Sequence, residues 1–332
     1  MPNIKEVASK AGVSTSTVSR VLNKSSSVSE ETRERILSVM REQNYIPNIM
    51  ARGLSSNRGY SVALLINVEN SKAFFNPFFN EIMHGIETVL YKNELSLIIA
   101  NQETKSDYDR LDWIIRGKRA QGVILPSNLV YPALVKKLHK ERVPFITIGE
   151  PQGIFDAINW VDINNQHGAQ QAVLHLRDQQ YKNIAFLCGS LKEVFNRNRL
   201  LGYKSLVEES SQLICEEAIS KEDSYMMVKQ LLASAKPPDA VICSNNILAL
   251  GSLKAAQQAG LRVPQDFGIL SFDNYPIADL IEPAITTIDV DVFELGRQAA
   301  NILLQLINNQ TSSRQACLIS TSVQVRESTK RY

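Results

Sequence analysis

The sequence predicts a small all-α helix-turn-helix head plus an α/β core of two doubly wound parallel-sheet subdomains. Three observations carry that prediction. Residues 3–23 hold two short amphipathic runs separated by a glycine. From Tyr60 onward, short runs rich in Val, Ile and Leu alternate with longer amphipathic runs. The alternation then starts again near residue 165. Continuous apolar strands set between helices mark parallel sheets covered on both faces.

In the head, Ile4, Val7, Ala8 and Ala11 recur at the spacing of one helix face. Gly12 permits the left-handed turn that follows, and Val13 plugs the gap between two helices. Ser14 suits the N-cap of a second helix. That helix turns Val18, Val21 and Leu22 inward and leaves Thr15, Ser16, Thr17, Ser19, Arg20 and Asn23 largely elsewhere. Short hydroxyl side chains let a helix lie deep in a major groove, and Arg and Asn can read G and A edges. Ser29 can cap a third helix whose first turn carries Glu30 and Glu31, with Ile36, Leu37, Val39 and Met40 as its inner face. Pro47 then opens a stretch in which 48–54 has room for two turns of helix. A helix that short is marginal alone, so it is expected to order only with a partner. Composition suits a plain linker equally well.

The core reads in order as a strand at 61–66, helix 78–92, strand 95–100, helix 108–116, strand 122–126, helix 133–140 and strand 144–149. The second series reads as helix 167–178, strand 183–189, helices 199–209 and 224–233, strand 240–245, helix 247–260 and strand 268–273. A long helix at 292–309 and one strand pattern at 316–328 are expected to return and complete both subdomains.

Charge is uneven along the chain. Residues 1–60 hold nine Lys/Arg against five Glu, so +4, and the rest holds 27 basic against 29 acidic residues, so −2. A basic head on a mildly acidic body fits a nucleic-acid-binding head. Cys188, Cys215, Cys243 and Cys317 form no CxxC pair and read as reduced cysteines. The histidines show no metal-ligand spacing, so no metal and no cofactor is expected. The N-terminus is amphipathic rather than an apolar leader, and no apolar run approaches membrane-spanning length. The expectation is therefore a cytoplasmic, nucleoid-associated protein with no membrane partner. There is no GxSxG elbow, phosphate-binding loop or GxGxxG after the first strand, and no enzyme is expected.

In open parallel sheets ligands bind at the carboxyl ends of strands. By that rule Asn245 ends one strand and Asp273 another. Trp160 and Asp162 lie in INWVDINN, Arg199 starts a helix after a strand, and Phe78 and Phe79 open the first core helix. Arg, Asp and Asn offer paired donors and acceptors to vicinal hydroxyls, and aromatic rings suit the C–H faces of a sugar. Each residue also has a local role open to it. Asp273 can cap a turn, Asn245 can form an Asx turn, and the phenylalanines can be core.

IKEVASKAGVSTSTVSRVLN, VSEETRERI, NYIPN and ARGL resemble the LacI/GalR family of transcriptional repressors. NPFFNEIMHGIE, RAQGVIL, RLLGY, GLRVPQDFGILSFDN and TTIDVDVFELGRQAANILLQLI extend the resemblance over essentially the whole chain. KAFFNPFF, GKRAQGVI, INWVDINN, IAFLCGSLKEVFNRNRLLGY and ILSFD are similar to the maltose-operon repressors within it.

The resemblance implies a helix-turn-helix domain at 1–46, a hinge helix and linker at 47–59, and an effector-binding and dimerisation core at 60–332 of the periplasmic sugar-binding protein type. In that core the chain crosses three times, giving an N-subdomain of about 60–160 and 289–316 and a C-subdomain of about 161–288 and 317–332. Thr15, Ser16 and Arg20 match base-reading positions, and Thr17, Ser19 and Asn23 match backbone or supporting contacts. Ala51 lies in the hinge motif, and Leu54 matches a leucine wedged into the minor groove. Arg199, Asn245 and Asp273 match effector-binding positions, and Phe79 an aromatic at the pocket mouth. The family often has Asp after the matching Asn, where this chain has Asn246. Only six residues follow Arg326, short of the heptad extension of tetrameric members. The implied partners are therefore double-stranded operator DNA, a small sugar effector (maltose or maltodextrin) and a second copy in a homodimer. The alternatives are a global carbon-catabolite regulator using a phosphoprotein corepressor and a sugar-binding protein that binds no DNA.

Overall fold

Asn3 closes the first helix from outside. Its Oδ1 accepts from the backbone N–H groups of Lys5 at 3.0 Å and Glu6 at 3.1 Å, and α1 runs Ile4–Lys10. Gly12 takes φ +66°, and the Val13 N–H returns to the Ala8 carbonyl at 3.0 Å. Ser14 then caps α2 (Thr15–Leu22), its Oγ accepting from the Thr17 N–H at 3.2 Å. Ser29 caps α3 (Glu30–Glu42) through the Thr32 N–H. Val7, Ala8, Ala11, Val18, Val21, Ile36 and Met40 are buried together as the core of this unit. Each such Val or Ile contributes ~1.5–3 kcal/mol over exposure. Leu37 and Val39, expected inside, are half-buried beside it.

The computed structural model describes residues 2–22, 25–45, 60–66, 77–101, 110–153, 158–310 and 313–331. Asn23, Ala51 and Leu54 lie outside the described residues, as does the expected helix at 48–54. The described chain falls into two compact units, Met1–Tyr60 and Ser61–Tyr332.

Among the described residues, the second unit holds two sheets of six strands. Sheet A contains β1 (Ser61–Ile66), β2 (Ser96–Asn101), β3 (Gly122–Pro126), β4 (Phe145–Ile148), β5 (Trp160–Ile163) and β11 (Ala316–Ile319), ordered β11-β5-β4-β3-β1-β2 and parallel throughout. Sheet B contains β6 (Ile184–Leu187), β7 (Leu213–Cys215), β8 (Ala240–Cys243), β9 (Gly268–Phe272), β10 (Thr286–Val290) and β12 (Thr321–Gln324), ordered β12-β10-β9-β8-β6-β7. Only the β10–β12 pair is antiparallel. Helices cover both faces. In sheet A, α4 (Pro77–Lys92) and α12 (Val292–Ile307) pack on one side through Ile82, Ile86, Leu295 and Leu303, and α5 (Arg110–Arg116) and α6 (Pro132–Lys140) on the other through Leu111, Ile114, Leu134 and Leu138. In sheet B, α7 (Asn165–Asp178) and α8 (Val194–Lys204) lie on one face, α9 (Lys221–Leu232) and α10 (Asn246–Gln258) on the other. The short α11 spans Pro276–Leu280.

The chain passes between the sheets three times, after β5, β10 and β11. These strands run past the expected crossing points at 160, 289 and 316. The expected strand at 316–328 is two strands: β11 is parallel to β5, and β12, after Ser320, is antiparallel to β10. A continuous extended pattern does not mark a change of sheet. The expected helix at 199–209 begins five residues earlier. Its buried positions Asn196, Arg199, Leu200 and Tyr203 keep helical spacing, but two of them are polar, which hid the first turn from an apolar pattern.

Candidate functional site

In the head, α2 exposes Thr15, Ser16 and Arg20, and half-buries Thr17 and Ser19. The Oγ of Ser14 lies 2.7 Å from Ser16 Oγ and 2.9 Å from Thr17 Oγ1, so these hydroxyls hold one another at the helix start. Val18 and Val21 anchor the opposite face. The exposed face is narrow, polar and singly charged, the form a groove-reading helix requires.

In the core, the sheet order reverses between β6 and β8, and ligands bind at such a switch point. The chain leaving β6 leads into α8, which carries Arg199, and the chain leaving β8 leads through Ser244 and Asn245 into α10. Gly202 lets α8 approach α7 closely, since a Cβ there would lie 2.2 Å from the Gln166 carbonyl oxygen. That approach brings Arg199 to Asn165 at the start of α7. Arg199 Nε donates to Asn165 Oδ1 at 2.8 Å, and Nη1 donates to the Ser244 carbonyl at 2.6 Å. Nη2 stands 3.7 Å from Asp273 Oδ1. The guanidinium also lies over the Phe272 ring, 3.9 Å from its centroid.

Asp273 follows β9 with φ +70°, a left-handed conformation that Asp and Asn tolerate better than most residues. Asn246 holds it there: Nδ2 donates to the carbonyls of Phe272 at 2.7 Å and Asp273 at 2.8 Å. Asn245 caps α10, its Oδ1 accepting from the Leu248 N–H at 3.0 Å. From sheet A, Asp162 accepts from the backbone N–H groups of Glu150 at 2.9 Å and Ile163 at 2.7 Å. Glu150 Oε2 accepts from Asn198 Nδ2 at 2.7 Å, tying the loop after β4 to α8.

Burial governs the electrostatics. It raises the Asp162 carboxyl above its ordinary value, against the two backbone hydrogen bonds and the Arg199 charge. It raises Asp273 likewise, opposed by Arg199. Arg199 is lowered by the same burial, opposed by Asp273 and Asp162. Tyr275 is raised by burial and by Asp273, and Glu81 of α4 acts on it as well. The site is thus a desolvated polar cluster fed by both sheets, suited to binding a polar ligand.

Arg199, Asp273 and Asp162 come together, with Asn245 at the adjoining helix start. Trp160 does not join them. It opens β5 instead of ending it, in register with Thr147, and is buried. An apolar run in sequence does not say which of its residues starts the strand. Phe79 is half-buried against the core under α4. Asn165, Glu150, Asn196, Asn198, Ser244 and Tyr275 were not singled out from sequence. Glu150 sits just past the end of β4 and was reachable by the strand-end rule. Ser244, directly after β8, was reachable the same way, and Asn165, Asn196 and Asn198 depend on packing between helices. Among the described residues no group of three or more His, Cys, Asp or Glu is placed to hold a metal, and no helix is long and apolar enough to cross a membrane.

Residues 3–48 match the family described as bacterial regulatory proteins, lacI family, and residues 173–329 match a periplasmic binding protein-like domain. The chain is 30% identical to the HTH-type transcriptional regulator CelR of Thermobifida fusca, covering 98% of both chains. It is 32% identical to the HTH-type transcriptional repressor PurR of Haemophilus influenzae strain PittEE, covering 93% of this chain and 92% of that one. Among solved structures, the CelR–cellobiose complex superposes with TM-score 0.71 at 28% identity, over 99% of this chain and 100% of that one. The lac repressor dimer bound to operator and the anti-inducer ONPF superposes with TM-score 0.75 at 25% identity, over 99% of each chain. None of these relatives is a maltose repressor by name, so the narrower likeness rests on the sequence strings alone. The family sets aside the alternative of a sugar-binding protein without DNA-binding. These relatives are regulators and not enzymes, and the chain belongs to the LacI family of DNA-binding transcriptional regulators.

Proposed function

We propose that the chain is a homodimeric repressor of a sugar-utilisation operon, acting in the cytoplasm and released from its operator by a glucose disaccharide or short oligosaccharide, maltose or maltodextrin first. The observation that carries this reading is the buried Arg199 cluster at the carboxyl ends of sheet B, in a chain that begins with a groove-reading helix. Arg199, Asn245, Asp273 and Asp162 bind the sugar hydroxyls. Phe79 covers the mouth of the site by resemblance alone. The CelR–cellobiose complex supports a disaccharide, and the maltose-repressor strings favour maltose.

In this reading the head spans 1–46, the hinge 47–59 and the core 60–332. Without sugar, two heads read the two half-sites through Thr15, Ser16 and Arg20, supported by Thr17, Ser19 and Asn23. The hinge around Ala51 wedges Leu54 into the minor groove. Sugar changes how the two sheets of each core meet, the hinges separate, and DNA affinity falls. The test is a gel shift of the full chain on DNA upstream of its neighbouring sugar operon, with and without maltose or cellobiose. A shift that the sugar reverses in the wild type, but not in Asp273→Ala, supports the reading. A shift that no sugar reverses, or that Asp273→Ala reverses equally, contradicts it.

A further inference from the structure

Arg199 is held on three sides within the cluster. Its Nε–H goes to Asn165, its Nη1 to the Ser244 carbonyl, its Nη2 faces Asp273, and Phe272 covers one face of the guanidinium. Arg197, two residues earlier on α8, donates its Nη1 to the carbonyls of Leu191 at 2.6 Å and Lys192 at 2.9 Å. Two carboxylates act on the Arg199 guanidinium, and a third, Glu150, acts on Asp162 beside them. Asp273 is its ion-pair partner, and Asp162 acts on it from sheet A. Glu150 binds Asn198, the residue before Arg199, and its backbone N–H binds Asp162. Asn245 Oδ1 closes the start of α10 on the Leu248 N–H, and Asn164 Oδ1 closes that of α7 on the His167 N–H at 3.2 Å, while α8 starts without a side-chain cap.

Acceptors are in surplus as well. Asn196 Oδ1 and Asn246 Oδ1, in the first turns of α8 and α10, are buried and have no hydrogen-bond partner. Buried acceptors of this kind call for donors, and sugar hydroxyls donate without bringing charge.

We propose, building on the sugar-effector reading above, that this site selects an uncharged sugar and excludes phosphorylated ones, with Glu150 as the residue that enforces the exclusion. A phosphomonoester carries about −1.5 to −2 charges at neutral pH. It enters a site where Asp162, Asp273 and Glu150 outnumber Arg199. To pair with Arg199 it must compete with Asp273 for the guanidinium and weaken a buried ion pair, which is costly. A neutral sugar avoids that exchange, donating to the carboxylates and accepting from Asn198.

The test is isothermal titration of the full-length chain with maltose, cellobiose and ribose, and with maltose 6′-phosphate, cellobiose 6′-phosphate and ribose 5-phosphate. The sugar that binds is expected to do so at least ~10-fold more tightly than its phosphate ester at low ionic strength. The ratio is expected to shrink in Glu150→Gln, which keeps an acceptor for Asn198 and removes the charge. A phosphate ester binding as tightly as its parent sugar overturns the proposal while leaving the sugar site standing. A ratio unchanged in Glu150→Gln overturns the role of Glu150. If none of the six compounds binds, the sugar-effector reading falls, and the exclusion with it.

Discussion

Asn246 Nδ2 donates to the main-chain oxygen of Asp273 at 2.8 Å, and so the first residue of α10 holds that aspartate in its left-handed conformation. The same amide reaches Phe272 O at 2.7 Å and Ser271 Oγ at 3.0 Å. Asn246→Ala leaves buried carbonyls without their donor, a cost of ~1–3 kcal/mol. Thermal unfolding should show that loss, and sugar titration should show a weaker site even where the protein is fully folded. Unchanged sugar affinity in Asn246→Ala contradicts the positioning role.

Arg199→Lys keeps the charge and loses the fork. A lysine ammonium cannot meet Asn165 Oδ1, the Ser244 carbonyl and Asp273 together with the geometry the guanidinium provides. The variant should keep operator affinity and lose most of its sugar response. Anisotropy of labelled operator DNA, with and without sugar, checks both halves.

Arg20 is exposed on α2 beside Thr15 and Ser16. If it reads a guanine edge, Arg20→Ala should cost ~1–3 kcal/mol of operator binding and relax preference at one base pair. The far-ultraviolet circular dichroism and the sugar affinity should stay unchanged, because its helix is anchored by Val18 and Val21 on the other face. Equal loss on every DNA sequence assigns Arg20 to a phosphate instead.

Stability should decline in alkali. Burial pushes the Cys188 and Cys243 thiols up to about 12, and Tyr181, also desolvated, up to about 12. A raised folded value means the folded state keeps its proton while the unfolded chain loses it. The stabilisation is complete below the unfolded thiol value of roughly 8.5 and is lost as pH rises toward the folded one. Denaturant midpoints measured from pH 7 to pH 10.5 should fall above about pH 8.5. Replacing both cysteines by Ala or Val should flatten that fall, apart from any cost of repacking.

The legible parts of the fold were those where one pattern had one cause. Capping at Ser14 and Ser29, and the strand–helix alternation, follow from local chemistry and all appear. The change of sheet at Ser320 was hidden because two strands of different sheets run on as one extended stretch. The mid-helix place of Arg199 was not legible, because Asn196 and Arg199 are buried for polar reasons. Trp160 was misplaced because pairing with Thr147, and not its own neighbours, decides where β5 starts. Asn165 escaped notice since only the packing of α8 on α7, permitted at Gly202, brings it to Arg199.

The most direct measurement is the affinity of the full-length chain for its labelled operator, by anisotropy, across a titration of maltose or cellobiose. The account predicts that sugar weakens operator binding by about 5–150-fold, the usual range of such coupling, and that Arg199→Lys abolishes the change. Operator affinity that is independent of sugar in the wild type, or a full response in Arg199→Lys, would contradict it.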